Sequence, residues 1–247
     1  MAAEVPGFTE SFDDPRVTSP FCRRLRDGAS NLTLVGVVHD HPASVGRVEA
    51  VLERCQPAVL ALELPPSAIS LYRAYADGLE PGSTPRFGGE MSAAIARVPD
   101  ATVVGIDAPN WTFCRRLATR LVADRADAGT ARTLAGSVAG AARTALACRF
   151  AATVTDATSM TVTTDEQIEY ACTEADPPAR QAAHERAHVA GIRALVGGAT
   201  PPALAYRDEA RESCMVDRLA AVREEGEVVA VVGVDHLDPL AEAFLGG

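Results

Sequence analysis

Two histidines close two closely similar stretches, one near each end of the chain. The first stretch is Leu32–Thr33–Leu34–Val35–Gly36–Val37–Val38, ending in His39. The second is Val228–Val229–Ala230–Val231–Val232–Gly233–Val234–Asp235, ending in His236. Each is an apolar, β-branched run of strand length closed by Gly-x-x-His. An imidazole just past a strand's carboxyl end stands where open α/β sheets collect ligands. Two more predicted strands end in acids: Ala58–Leu64 carries Glu63, and Asp107 follows Ala101–Ile106. If the four strands are parallel neighbours, the four side chains converge on one edge. Two imidazoles with one or two carboxylates form a donor set for a first-row divalent ion such as manganese, cobalt or zinc. His39, Glu63 and His236 are the candidate metal ligands, and the ion would activate water and polarise a carbonyl for amide or ester hydrolysis.

Each residue also has a plainer reading. A polar residue after a strand is most often a turn or helix cap, and Asp107 before Ala-Pro-Asn suits a cap. His41, two residues beyond His39 in a loop, reads as a bystander. Glu63 resists the plain reading, because a carboxylate in an apolar run needs a metal, an arginine or a proton.

The elements that must position these residues follow from periodicity and breakers. Phe21–Arg26 and Asn31–Val38 pair as a hairpin across Asp27–Gly28. Helices are expected over Ser44–Arg54, Ser67–Asp77 and Glu90–Arg97, then over 110–127 and 130–149. The Thr-rich stretch 153–164 reads as a loop. Helices follow at about 164–173, 178–196 and 203–224, broken by Pro177–Pro178 and Pro201–Pro202, and Pro239–Leu245 is a final helix. The expected fold is α/β, a single domain over 1–247 with a central mixed, largely parallel sheet. The sheet draws on about 20–107 and 227–236, with a helical region at about 108–225 inserted between. That helical middle is a candidate lid or homodimer interface.

A competing motif lies at 178–196, where His184-Glu185-Arg186-Ala187-His188 has the His-Glu-x-x-His form of zinc peptidases. Glu209 or Glu212 would serve as a downstream third ligand. The Ala- and Arg-rich flanks favour a surface or half-buried helix instead.

Composition narrows the partners. The net charge of −10 includes 23 basic residues, every one of them arginine. Such an acidic excess argues against nucleic acid or an anionic membrane. An acidic, lysine-free chain suits a salt-adapted, haloarchaeal proteome or a GC-rich genome. Six scattered cysteines without Cys-x-x-Cys spacing read as reduced thiols. No apolar run is long enough for a membrane helix, and the first residues lack signal-peptide character, so a soluble, cytoplasmic protein is expected.

The ordered motifs resemble the TraB family (TraB/PrgY/GumN-like proteins, related to the Tiki proteins). That family has Gly-Thr-x-His, here Gly36-Val37-Val38-His39, and then a Pro-led strand ending Glu-Leu, here Pro57 to Glu63–Leu64. Gly-x-Glu and a strand ending in Asp follow, here Gly88-Gly89-Glu90 and Asp107. The late Glu-Arg-Asp-x-x-Met is matched by Ala210-Arg211-Glu212-Ser213-Cys214-Met215, and the final Gly-x-Gly-His by Gly233-Val234-Asp235-His236. The match covers about 31–118 and 205–245. Val37, Ala108 and Ala210 depart from the pattern, and these 247 residues contain no match to the C-terminal membrane helices of many archaeal members. The resemblance implies an EreA/ChaN-like fold and, by analogy with Tiki proteins, metal-dependent hydrolysis of a peptide or small carbonyl substrate. It makes Glu63 and Arg211 the candidate catalytic pair, with Arg211 neutralising Glu63 or clamping a substrate carboxylate. Asp107 and Glu90 would support the metal ligands from behind. A second class of function, a non-catalytic protein that sequesters a peptide or other ligand, suits the same family and the lack of an obvious nucleophile.

Overall fold

The computed structural model describes residues 2–27, 30–77, 87–107, 111–157, 168–196 and 201–246, with 79 and 85. The six strands are β1 (Ala3–Glu4), β2 (Cys22–Asp27), β3 (Ser30–Val37), β4 (Val59–Leu62), β5 (Thr102–Gly105) and β6 (Val228–Gly233). They form one sheet in the order β1-β2-β3-β6-β4-β5. β3, β6, β4 and β5 run parallel, whereas β1 and β2 are antiparallel additions at one side. The expected hairpin is therefore present, although Gly28 of its turn lies outside the described residues. The strand from the far end of the sequence is inserted between β3 and β4, at the centre of the sheet.

That position explains the uninterrupted apolar run of β6. Val229 and Val231 pack with Val35, Leu60 and Leu62 against α1 (Pro42–Cys55), α2 (Ile69–Ala76) and α3 (Gly89–Arg97). Val228, Ala230 and Val232 pack on the other face, against α7 (Pro202–Val222) and α8 (Val234–Leu245). A strand covered on both faces has no place for alternating polar residues. Between β5 and β6 lie α4 (Trp111–Ala123), α5 (Ala128–Ala157), α6 (Pro178–Val196) and then α7. α4, α5 and α7 share a smaller core of Phe113, Leu117, Leu134, Ala210 and Cys214. Among the described residues, no helix is long and apolar enough to cross a membrane.

Three expectations need correction. α5 continues through 153–157, where a loop was expected; 158–164 lies outside the described residues. Residues 168–173, expected to be helical, form an irregular strap. Its polar groups bond to the His39–Asp40 segment instead of to a helix: Tyr170 OH donates to the His39 carbonyl at 2.8 Å. The last helix starts at Val234 rather than Pro239, with Pro239 inside it. A proline in a second turn forfeits one helical bond, which the burial of Leu237, Leu240 and Ala241 offsets.

Candidate functional site

The parallel strands deliver the sequence-selected residues to one edge. His39, His236, Glu63 and Asp107 follow the carboxyl ends of β3, β6, β4 and β5, four strands adjacent in that order. Each glycine of the doubled motif has its own task. A Cβ on Gly36 would sit 3.3 Å from the Val234 Cα and from Leu237, so Gly36 lets the start of α8 lie against β3. Gly233 is the N-cap of α8, and its free N–H donates to Glu63 Oε2 at 2.6 Å.

Glu63 is thus held at the positive end of a helix. Its other oxygen, Oε1, accepts from Arg211 Nη2 at 2.6 Å. Arg211, on α7, also grips Asp107 through two parallel bonds, Nε to Oδ1 and Nη2 to Oδ2, each 2.9 Å. Its Nη1 lies 3.3 Å from His236 Nε2. These partners engage four of the five guanidinium N–H donors. Arg211 neutralises Glu63 and Asp107 and has no fork left for a substrate carboxylate.

Both histidines are anchored in the same way. His39 Nδ1 lies 2.7 Å from Glu90 Oε1, and Glu90 Oε2 accepts from the Asp40 N–H at 3.0 Å. Glu90 sits in the first turn of α3 and is 1 % exposed. Two left-handed glycines, Gly88 and Gly89, carry the chain into that turn. The Glu90 hydrogen bond, helped by the charges of Glu63 and Asp40 and opposed by burial, pushes His39 up to about 9. The His39 side chain stays 59 % exposed, so Nε2 faces solvent. His236, in the first turn of α8, has Nδ1 2.8 Å from Glu212 Oε1. Burial disfavours its charged form, but the Glu212 bond and the Glu63 charge outweigh it and raise the ring above its ordinary value. Sequence reasoning weighed Glu212 only as a ligand for a different site; nothing local marks it as the partner of a histidine 24 residues away.

Cavities flank Asp107. One of about 190 Å³ lies between Phe113 of α4, Val138 and Ala141 of α5, and Arg207 and Arg211 of α7. Another, of about 390 Å³, is bordered by Pro66, Thr112, Cys214 and Arg218.

The three metal-ligand candidates are not gathered as one ligand set. Glu63 Oε1 and His236 Nε2 are 3.5 Å apart, but both Glu63 oxygens are already bonded, and Arg211 bridges Glu63 and His236. Among the described residues, no group of three or more His, Cys, Asp or Glu is placed to hold a metal ion.

The His184-Glu185-x-x-His188 motif is not on a free surface. Glu185 is fully buried, bonded by Ser44 Oγ at 2.6 Å and paired with Arg47. A zinc peptidase needs that carboxylate facing metal-bound water. His41 is no bystander either. Fully buried, it caps α1 by accepting from Ala43 N at Nδ1, and its Nε2 lies 2.9 Å from His184 Nδ1. An acceptor Nδ1 puts the proton of neutral His41 on Nε2, so Nε2 donates to His184 and has no lone pair for a metal.

Comparison of the chain with protein-family models, curated proteins and solved structures gives no match.

Proposed function

We propose that this chain hydrolyses a carbonyl compound, a peptide or an ester, at the carboxyl edge of its parallel strands. The observation that carries the reading is the pair of carboxylate-anchored imidazoles, His39 on Glu90 and His236 on Glu212, on neighbouring strands. A carboxylate on Nδ1 fixes the ring and presents Nε2 for proton transfer. His39, kept charged by buried Glu90, gives its Nε2 proton to the leaving nitrogen or oxygen as the C–N or C–O bond breaks. Neutral His236, once Arg211 Nη1 releases its 3.3 Å contact with Nε2 to the attacking water, takes a proton from that water as the new C–O bond forms, and Glu212 stabilises the resulting imidazolium. Glu63, Asp107 and Arg211 hold the edge together. The 190 Å³ cavity beside Arg211 receives a substrate side chain.

The TraB-family resemblance and an EreA/ChaN-like fold belong to the same reading. What supports them is that Gly36–His39, Glu63, Asp107, Arg211 and Gly233–His236 meet at one edge in the family's order. A divalent ion on His39, Glu63 and His236 does not fit the present arrangement, because the guanidinium of Arg211 already bridges Glu63 and His236. Such an ion would require Arg211 to withdraw.

The test is incubation with a peptide and ester library, with and without EDTA, read by mass spectrometry. Cleavage that survives EDTA and falls about 100-fold in His39→Ala is expected, since one acid–base group contributes ~10²–10⁴. Cleavage lost with EDTA and restored by manganese would reinstate the ion. Retention of intact peptide without cleavage would overturn hydrolysis in favour of sequestration.

A further inference from the structure

The proposed chemistry uses nothing from the His-Glu-x-x-His stretch of α6, yet that stretch holds a fully buried ion pair, Arg47 with Glu185. Ser44 Oγ donates to Glu185 Oε1 at 2.6 Å and accepts from the Val38 N–H at 2.8 Å. Arg47 Nη1 donates to the same Oε1 at 3.2 Å and to the Gly36 carbonyl at 2.7 Å. Arg47 Nη2 pairs with Oε2. The Arg47 guanidinium is fixed further by the Arg16 carbonyl at 2.7 Å and by the Phe21 ring, whose centroid is 4.2 Å away. One carboxylate on α6 therefore holds the backbone on both sides of Val37, immediately before His39. One residue earlier on the helix, His184 takes the hydrogen bond of His41.

We infer that Glu185 is a positioning residue for His39: through Ser44 and Arg47 it sets the Gly36–Val38 backbone that aims the imidazole at Glu90. The inference rests on His39 being a proton-transfer group. A buried ion pair rarely stabilises more than apolar residues of similar volume, so its geometry is the contribution that such residues would lack. A small misplacement of a reacting group costs up to about 100-fold in rate.

Glu185→Gln alone strands the Arg47 charge, so the decisive proteins are Ser44→Ala, Ser44→Thr and the double variant Arg47→Met/Glu185→Leu, in the full chain. The readouts are kcat and KM on a substrate found above, and the low-field proton NMR signal of His39 Nδ1–H. Ser44→Ala and the double variant are expected to keep a cooperative melt while kcat falls about 10-fold or more at constant KM, with the Nδ1–H signal broadened or lost; Ser44→Thr restores both. A folded double variant with wild-type kcat and an unchanged signal would overturn the inference. If the wild type turns over nothing, the hydrolase reading fails by itself, and the NMR signal still decides the positioning role.

Discussion

Arg211 on α7 places its Nη2 2.6 Å from Oε1 of Glu63, at the end of β4, and so neutralises a carboxylate that the strand would otherwise bury unpaired. The same guanidinium ties down Asp107 at the end of β5. One cation thus fixes the carboxyl ends of two neighbouring strands. Glu63 and Asp107 are only 7 % and 14 % exposed, so removing the cation leaves two poorly solvated charges. Arg211→Met is expected to cost about 3–5 kcal/mol, read as the urea-unfolding free energy. Arg211→Lys recovers part of it, because an ammonium cannot reproduce the two-bond fork on Asp107. A loss below about 1 kcal/mol in Arg211→Met would mean that the cluster is solvated.

His39 makes stability depend on alkaline pH. Its folded value of about 9 lies above the ordinary 6.5, so the folded chain binds the proton more tightly. That contribution is complete below about pH 6.5 and is lost as pH rises through 9. Unfolding free energies measured from pH 6 to 10 are expected to fall across this window in the wild type and to stay flatter in His39→Gln. On the proposed chemistry, activity falls along the same limb near pH 9, where the ring gives up the proton it must donate. It also falls at lower pH, where His236 becomes charged.

His41 acts in the opposite direction. Burial, with the nearby charges of His184, His188 and Arg47, lowers it to about 4. The unfolded chain therefore binds more protons between about pH 6.5 and 4, and stability drops as pH falls through that window. The ordinary conversion of about 1.4 kcal/mol per pH unit puts the loss on the order of 3 kcal/mol. His41→Asn keeps a capping side chain for α1 while removing the titrating group, so its acid unfolding profile is expected to be flatter than that of the wild type.

Gly89 is a site of backbone constraint. Its φ is +44°, and a Cβ there would stand 2.3 Å from Asp40 Oδ1. Gly89→Ala is expected to cost at least 1–2 kcal/mol, roughly the left-handed penalty of an L residue, and to displace Glu90 from His39, lowering kcat. Gly136, in the middle of α5 with nothing within 4 Å of a Cβ, is the matched control. Gly136→Ala should stabilise by about 0.5–1 kcal/mol, measured by thermal melting.

What the sequence by itself determined was everything local and periodic. Unbroken apolar runs require strands covered on both faces, and β3, β4 and β6 are such strands, while β5 at the sheet edge is only partly buried. Glycine, proline and 3.6-residue spacing set most helix limits, and a carboxylate at an apolar strand end already demanded a partner. Pro239 misled because a proline inside a helix is tolerable when the surrounding face is buried, which no local rule registers. The strap at 168–173 was illegible because its Tyr170 hydroxyl and Ile168 N–H bond to a segment more than 100 residues away. Only the tertiary structure decided the partners. Arg211 stands with Glu63, Asp107 and His236, Glu212 with His236, and Glu185 faces Arg47 and Ser44 rather than solvent. The physical reason is that these are charge pairings across 24 to 148 residues of sequence, set by insertion of β6 between β3 and β4 and by packing of α6 on α1. The two Gly-x-x-His turns marked one edge of the sheet, and the fold chose what surrounds them.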